Sequence, residues 1–285
     1  MKLLIESKIK NCFYESYVDG IILSLKDYSV EGNNYYTIDE IIAIRNQYKD
    51  LEIFVSINKN IFNDEIDSLK EILIKLDEIG ITGIFFYDLA ILELKKELKL
   101  NIDLVWNQTF MVNNYKTCDY YFDKGVKYAL LGKEITIDEI CEISRKSKIT
   151  TIVEVVSKPT MAFSYRNLVT NYYKDLGKTG TNKLRVREKV SDMSLELLDG
   201  NDGTSFVLDK IMNGTGIISD LYKNDVDYIL FREDGIDCFE ELVKDTRKYI
   251  DDGCTDSSYV DKYKILGDYT NFFFKKTIYR VKGDK

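Results

Sequence analysis

The segment Thr151–Gly177, TIVEVVSKPTMAFSYRNLVTNYYKDLG, decides how the rest of the chain is read. It opens as a continuous β-branched run, carries the acid Glu154 inside that run, and turns through Ser157, Lys158 and Pro159, the only proline in the 285-residue sequence. A parallel strand buried on both faces reads as such a run, and polar residues crowded at its end read as a site. Ser164, Tyr165 and Arg166 then lead into a helix-like segment.

Working outward from it, seven further apolar runs occupy Lys2–Ile5, Gly20–Leu25, Glu52–Ile57, Gly83–Tyr87, Ile102–Trp106, Tyr128–Leu131 and Asp227–Phe231. They recur at roughly 20 to 35 residues with amphipathic segments between them, the βα alternation of a parallel sheet. The clearest helix spans Asp64–Ile79, where Ile66, Leu69, Ile72, Leu73, Leu76 and Ile79 share one face. Thr37-Ile-Asp-Glu40 and Thr136-Ile-Asp-Glu139 are capping boxes that fix two helix starts.

Eight strands with mostly one helix between neighbours predict an α/β fold, a (β/α)8 TIM-like barrel over residues 1–250, either complete or in an incomplete or distorted form. The alternation breaks between Gly177 and Asp209. There Lys183, Arg185, Arg187 and Lys189 alternate with Leu184, Val186 and Val190, and Asp199-Gly-Asn-Asp-Gly203 separates Ser194–Leu198 from Thr204–Leu208. This predicts an inserted β-hairpin at 178–208 between strands seven and eight. A helix over Cys238–Tyr249 follows, then a C-terminal extension, 251–285, expected to pack on the barrel.

The composition, 45% hydrophobic, supplies a full core, and no apolar run approaches the roughly 18 to 20 residues of a membrane span. The expected location is cytoplasmic, with no membrane partner. Five cysteines, Cys12, Cys118, Cys141, Cys238 and Cys254, lie far apart without a C-x-x-C pair, which suits reduced thiols. There is no histidine at all. Serine-histidine triads, cysteine-histidine pairs and histidine-based zinc or iron sites are therefore excluded, and chemistry falls to carboxylates, lysine, tyrosine or thiols. The net charge of -8 argues against broad nonspecific nucleic-acid binding and leaves room for a local basic patch.

In such barrels the site is built on loops at the carboxyl ends of the strands. Those ends carry Lys26 and Asp27, Asn58 to Asn60, Asp88, Asn107 and Gln108, Lys133 and Glu134, Ser157 and Lys158, and Arg232 and Glu233. Glu154 differs from them, since an unpaired carboxylate inside an apolar run is costly and has its pKa pushed up. Its candidate partners are Lys26, Lys59, Lys133, Lys158 and Arg232, either in a buried ion pair or in a working acid-base group. Ser164 reads as a helix cap, or as a nucleophile served by a lysine. Arg166 suits an anionic ligand group or a salt bridge. Glu154, Lys158 and Glu233 are the candidate catalytic residues. Lys26, Asn58, Lys59, Asp88, Asn107, Gln108, Glu134, Arg166 and Arg232 are the candidate substrate-binding residues, with no metal and no cofactor expected. The Lys183/Arg185/Arg187/Lys189 stripe reads as edge-strand protection or as a patch for an acidic peptide or an RNA backbone.

These residues carry a family resemblance. Leu25-Lys-Asp-Tyr-Ser29, Ser56-Ile-Asn-Lys-Asn60, Gly83-Ile-Phe-Phe-Tyr-Asp-Leu-Ala90, Leu104-Val-Trp-Asn-Gln108, Glu154–Tyr173, Asn201-Asp-Gly-Thr204 and the closing Phe-Phe-Lys-Lys-Thr-Ile-Tyr-Arg-Val-Lys tail follow one another in an order that resembles the U32 peptidase, or collagenase-like protease, family in its short low-GC bacterial form. The resemblance implies a barrel-like fold and peptide-bond hydrolysis on a peptide or protein substrate. The second activity it implies is hydroxylation of RNA bases or quinone precursors, in relatives whose four cysteines hold an iron-sulfur cluster. The family signature runs Glu, His-Gly, Cys, a Ser-Tyr-Ser-Gly-like turn, then Cys. Here Glu154 keeps the acid, Lys158 and Pro159 replace His-Gly, Ala162 and Val169 stand where the cysteines belong, and Met212 falls near another. The resemblance therefore implies no cluster chemistry in this chain. Two functions follow: a hydrolase using Glu154, or a barrel that binds a peptide, RNA or a protein partner.

Overall fold

A computed structural model describes residues 1–108, 111–187, 189, 194–200 and 203–267. All eight apolar runs are strands: Lys2–Glu6, Gly20–Leu25, Glu52–Ile57, Gly83–Phe86, Asp103–Trp106, Tyr128–Leu130, Thr150–Ser157 and Tyr228–Arg232. Neighbours pair in parallel, and the first strand joins both the second and the eighth, so the sheet closes into a (β/α)8 barrel. Along the eighth strand the first pairs over its whole length, Lys2 opposite Tyr228 through Glu6 opposite Arg232. Its seam with the second strand is short, Leu4 opposite Gly20 and Ile5 opposite Ile21. Gly20 makes that seam, because a Cβ there would lie 2.8 Å from Leu4 Cδ2 and 2.8 Å from the Glu52 backbone oxygen.

The period of two along each strand sorts its side chains into an interior and an exterior set. Leu4, Ile22, Phe54, Phe85, Val105, Tyr128, Leu130, Ile152, Tyr228 and Leu230 form the buried interior cluster. Phe54 meets Phe85, Tyr128 and Tyr228 edge to face at 5.7, 5.6 and 6.4 Å between ring centroids. Two residues further along their strands, the same inward parity brings Glu6, Ser24, Ser56, Glu154 and Arg232, all buried. The interior thus changes from an apolar to a charged layer within one strand repeat.

Helices cover the exterior. Ile66–Glu78 buries Leu69, Leu73 and Leu76 on the face expected, after a 3-10 turn at Asn63–Glu65. Both capping boxes are present, at Thr37 with Glu40 and at Thr136 with Glu139, before Ile38–Gln47 and Ile137–Lys146. Among the described residues no helix is long and apolar enough to cross a membrane.

The insertion between the seventh and eighth strands is larger than a hairpin. Ser194–Asp199 and Thr204–Leu208 pair as expected, Lys183–Arg187 adds to one side, and Thr160–Ser164 adds to the other, giving a four-stranded antiparallel sheet. Thr160–Ser164, which follows the turn at Ser157–Pro159, becomes a strand because Thr204–Leu208 supplies its hydrogen-bonding partners some forty residues later in the chain. Ser164 ends that strand, its Oγ accepting from the Arg166 amide at 3.3 Å, and it does not cap the following helix, Leu168–Asp175. Asp199 takes that part, accepting from the Val169 and Thr170 amides at 3.2 and 2.7 Å. The stripe occupies the edge strand at Lys183, Arg185 and Arg187, whereas Lys189 lies beyond its end in a turn. Val190, Asn201, Asp202 and the tail 268–285 lie outside the described residues.

The chain closes with helices Phe239–Asp251 and Ser257–Tyr263. Tyr249 and Tyr259 stack between them with centroids 4.3 Å apart, and the Tyr259 hydroxyl meets Thr246 Oγ1 at 2.7 Å.

Candidate ligand-binding site at the barrel mouth

The charged layer is an alternating chain of carboxylates and cations. Arg232 lies between two buried acids: its Nη1 pairs with Glu6 and its Nε donates to Glu154 Oε2 at 3.0 Å. The other Glu154 oxygen accepts from Ser157 Oγ at 2.5 Å and meets Lys133 Nζ at 3.1 Å, and Lys133 continues to Glu31 at 3.6 Å. Glu6 also accepts from Ser24 Oγ at 3.1 Å and the Asn33 amide at 3.0 Å. The loop carrying Asn33 comes this close because residue 32 is glycine, where a Cβ would fall 2.2 Å from Ser24 Oγ and 3.2 Å from Glu6 Oε1.

Burial penalises each charge here, and whether its partners offset that penalty differs from one group to the next. Glu154 is 3% exposed, and its burial, outweighing the pull of Lys133, raises its pKa above the ordinary carboxylate value. Asp234, whose Oδ2 accepts from the Lys158 amide at 2.9 Å, is raised by burial as well. Burial alone would lower the Lys133 ammonium, but Glu154 and Glu31 outweigh it and hold its pKa above the usual lysine value. Lys133 therefore stays a cation, and Glu154 is the group able to hold a proton.

Over this floor a cavity of about 670 Å³ opens between the barrel mouth and the inserted sheet, which stands over it as a canopy. Lys183, Arg185 and Arg187 share a face of the canopy with Glu196, Leu198, Val207 and Phe163 by strand register, and several of these line the cavity. Lys183 pairs with Glu196 at 3.0 Å, and Arg185 reaches Glu196 and Asp209, each at 3.3 Å. Lys8, Lys26 and Lys158 line the barrel side, and among the described residues none has a carboxylate within ion-pair distance. Tyr35 and Phe163 bring aromatic surface to the same cavity.

The structure thus brings Glu154 together with Arg232 and Lys133, and sets Lys26 and Lys158 around the cavity above them. Asn107 lines a small pocket beside Lys133 and Arg232. The other candidates hold loops in place. Asn58 Oδ1 accepts from the Val30 and Glu31 amides, Asp88 from the Ile61 and Ala90 amides, and Glu233 from Ser7 Oγ and the Lys8 amide. Gln108 donates to the Tyr87 carbonyl, Lys59 pairs with Glu65 at 2.6 Å, and Arg166 is exposed beside the canopy. Glu134 is half-buried after the sixth strand. Glu6, Glu31 and Asp234 belong to the site and were missed. Glu6 had a weaker signal than Glu154, an acid directly after an apolar run where Glu154 lies inside one.

An iron-sulfur cluster does not fit the residues present. Ala162 is exposed on a canopy strand and Val169 buried in a helix, neither with a donor atom. Cys118, Cys141 and Cys254 are buried and Cys12 and Cys238 half-buried, all far apart in sequence, and among the described residues no group of three or more His, Cys, Asp or Glu could hold a metal ion.

A closed parallel barrel with a charged, lidded mouth is a binding scaffold used for many chemistries. The chain belongs to peptidase family U32, whose model matches residues 8–256. It is similar to tRNA hydroxylation protein P2 of Bacillus subtilis (strain 168), 27% identical over 257 residues that cover 80% of this chain and 81% of that protein. It also resembles tRNA hydroxylation protein P1 of the same organism, 23% identical over 158 residues, 54% of this chain and 37% of that protein. Among solved structures, the tryptophan synthase complex from Pyrococcus furiosus aligns with a TM-score of 0.46 at 13% identity, covering 92% of this chain and 94% of that one.

Proposed function

We propose that this protein acts in tRNA hydroxylation and holds its RNA at the barrel mouth. The observation that carries the reading is the likeness to tRNA hydroxylation protein P2 along four-fifths of both chains. The geometry agrees with it. Three lysines with no carboxylate within ion-pair distance among the described residues, and two aromatic rings, surround one cavity, a combination suited to phosphate and a nucleobase. Net charge is negative, so attraction to RNA is local to this mouth and the basic canopy edge.

Peptide-bond hydrolysis has less support. Ser157, the hydroxyl bonded to Glu154, is fully buried, so a scissile carbonyl has no path to it. Glu154 itself is held by Arg232, Lys133 and Ser157, which orders the floor and leaves ligand contact to the rim lysines.

The test is to express this chain in Bacillus subtilis lacking its own P2 protein and to measure hydroxylated tRNA nucleosides by mass spectrometry. Restored nucleoside with the wild type, lost with Lys26→Ala/Lys158→Ala, is the expected result. No restoration, together with cleavage of a peptide library by the purified protein, would return the chain to the hydrolases.

A further inference from the structure

Three exposed aromatic side chains stand at the same end of the barrel, outside the cavity. Phe62 is 59% exposed on the loop after the third strand, Tyr87 is 39% exposed after the fourth, and Tyr165 is 49% exposed where the canopy's first strand ends. Single exposed aromatics are ordinary, but three on adjoining loops are not scattered.

The segments that carry them are tied together. The Ile61 amide donates to Asp88 Oδ2 at 3.0 Å, joining the loop of Phe62 to that of Tyr87. The Asn60 amide donates to the Tyr165 hydroxyl at 3.2 Å, joining the barrel loop to the canopy. Tyr165 also meets Phe163 edge to face, with centroids 5.1 Å apart, and Phe163 lines the cavity. Tyr165 therefore links the cavity lining, through Phe163, to the loop that carries Phe62. Arg166, exposed beside Tyr165, has no carboxylate within ion-pair distance among the described residues.

We infer that Phe62, Tyr87 and Tyr165, with Arg166, form a stacking platform for unpaired bases of the RNA whose reacting nucleotide enters the cavity. The inference rests on the tRNA reading above and adds to it the form in which the RNA binds. Aromatic faces on fixed loops accept successive bases of a single strand, whereas paired bases of a duplex offer them no open face, and a guanidinium beside the rings matches the intervening phosphate. Continuity with the cavity through Phe163 favours the same RNA over a separate protein as occupant.

The experiment is titration of the protein with three fluorescently labelled RNAs: a whole tRNA transcript, a short single-stranded oligoribonucleotide without internal pairing, and a duplex of the same length. The proteins are wild type, Phe62→Ala/Tyr165→Ala and Lys26→Ala/Lys158→Ala. The wild type is expected to bind the tRNA and the single strand more tightly than the duplex, and the aromatic variant to bind both about tenfold or more weakly while its duplex affinity stays constant. Circular dichroism and urea midpoints confirm that each variant is folded. If wild type binds RNA and the aromatic variant binds equally well, the platform is overturned and the tRNA reading stands. Should the aromatic variant keep RNA affinity yet fail to restore hydroxylated nucleoside in cells, the occupant is a protein, which also overturns the inference. Absence of RNA binding by the wild type defeats both.

Discussion

Tyr228, Leu230 and Arg232 face the barrel interior in turn along the eighth strand, as Leu4 and Glu6 do along the first and Ile152 and Glu154 along the seventh. The lower part of this interior is filled by aromatic rings in edge-to-face contact, and the upper part by a relay of opposite charges. Removing atoms from the first costs energy in proportion to the volume lost. In the second the cost depends on which charge is removed, because each remaining one is judged by the partners it retains. A barrel could be filled with apolar side chains throughout, often with equal or greater stability. That this one carries buried acids and cations only at its carboxyl end suits a layer kept for what binds above it.

The sharpest way to break the comparison is Arg232→Met. It preserves bulk but leaves Glu6 and Glu154 without their shared cation, and is expected to cost about 3 to 5 kcal/mol in urea denaturation. A cost under about 1 kcal/mol would show that the charges do not depend on one another. Phe54→Leu, in the aromatic layer, is expected to cost about 1 to 3 kcal/mol, with the same loss at pH 5 and pH 8 since no titrating group changes.

Glu154→Gln tests the layer from its other side. The cost at pH 5 is expected to be about 1 to 2 kcal/mol, because Arg232 keeps Glu6 and Lys133 keeps Glu31. It should shrink as pH rises. The folded wild type holds its Glu154 proton above the unfolded value of 4.5, so this group makes wild-type stability fall as pH rises from there through its raised folded pKa, and glutamine removes that dependence. Urea midpoints for both proteins at pH 5, 6, 7 and 8 read the effect; parallel curves would sink it. Last, Lys183→Ala on the canopy edge should change stability by less than about 1 kcal/mol, its ammonium being largely solvated.

The barrel was readable because a strand covered on both faces is apolar at consecutive positions, so each run marks itself without knowledge of its partners. Helix starts at Thr37 and Thr136 were readable for a similar reason, since a capping box is complete within four residues. Arg232, Lys133 and Glu154 could be proposed as partners but not distinguished from Lys26, Lys59 or Lys158, because the choice among cations depends on strand register. Glu6 escaped when the first run was ended at Ile5, one residue short of the inward position opposite Arg232. The canopy's first strand was hidden by its setting, since Thr160–Ser164 follows the Ser157–Pro159 turn and its ladder partner lies some forty residues away.

The pairing of Glu6 with Arg232 has a consequence for the time course of synthesis. The two residues are separated by 226 positions, so the strand that must lie between the second and the eighth leaves the ribosome well before the eighth does. At about 5 to 20 residues per second, that strand waits on the order of ten seconds or longer for its partner. During this interval the growing sheet has open edges. The chain gains its cavity floor only with the arrival of Arg232, so a product released early would be a sheet without a site, marked for capture by chaperones or proteases through its open edge.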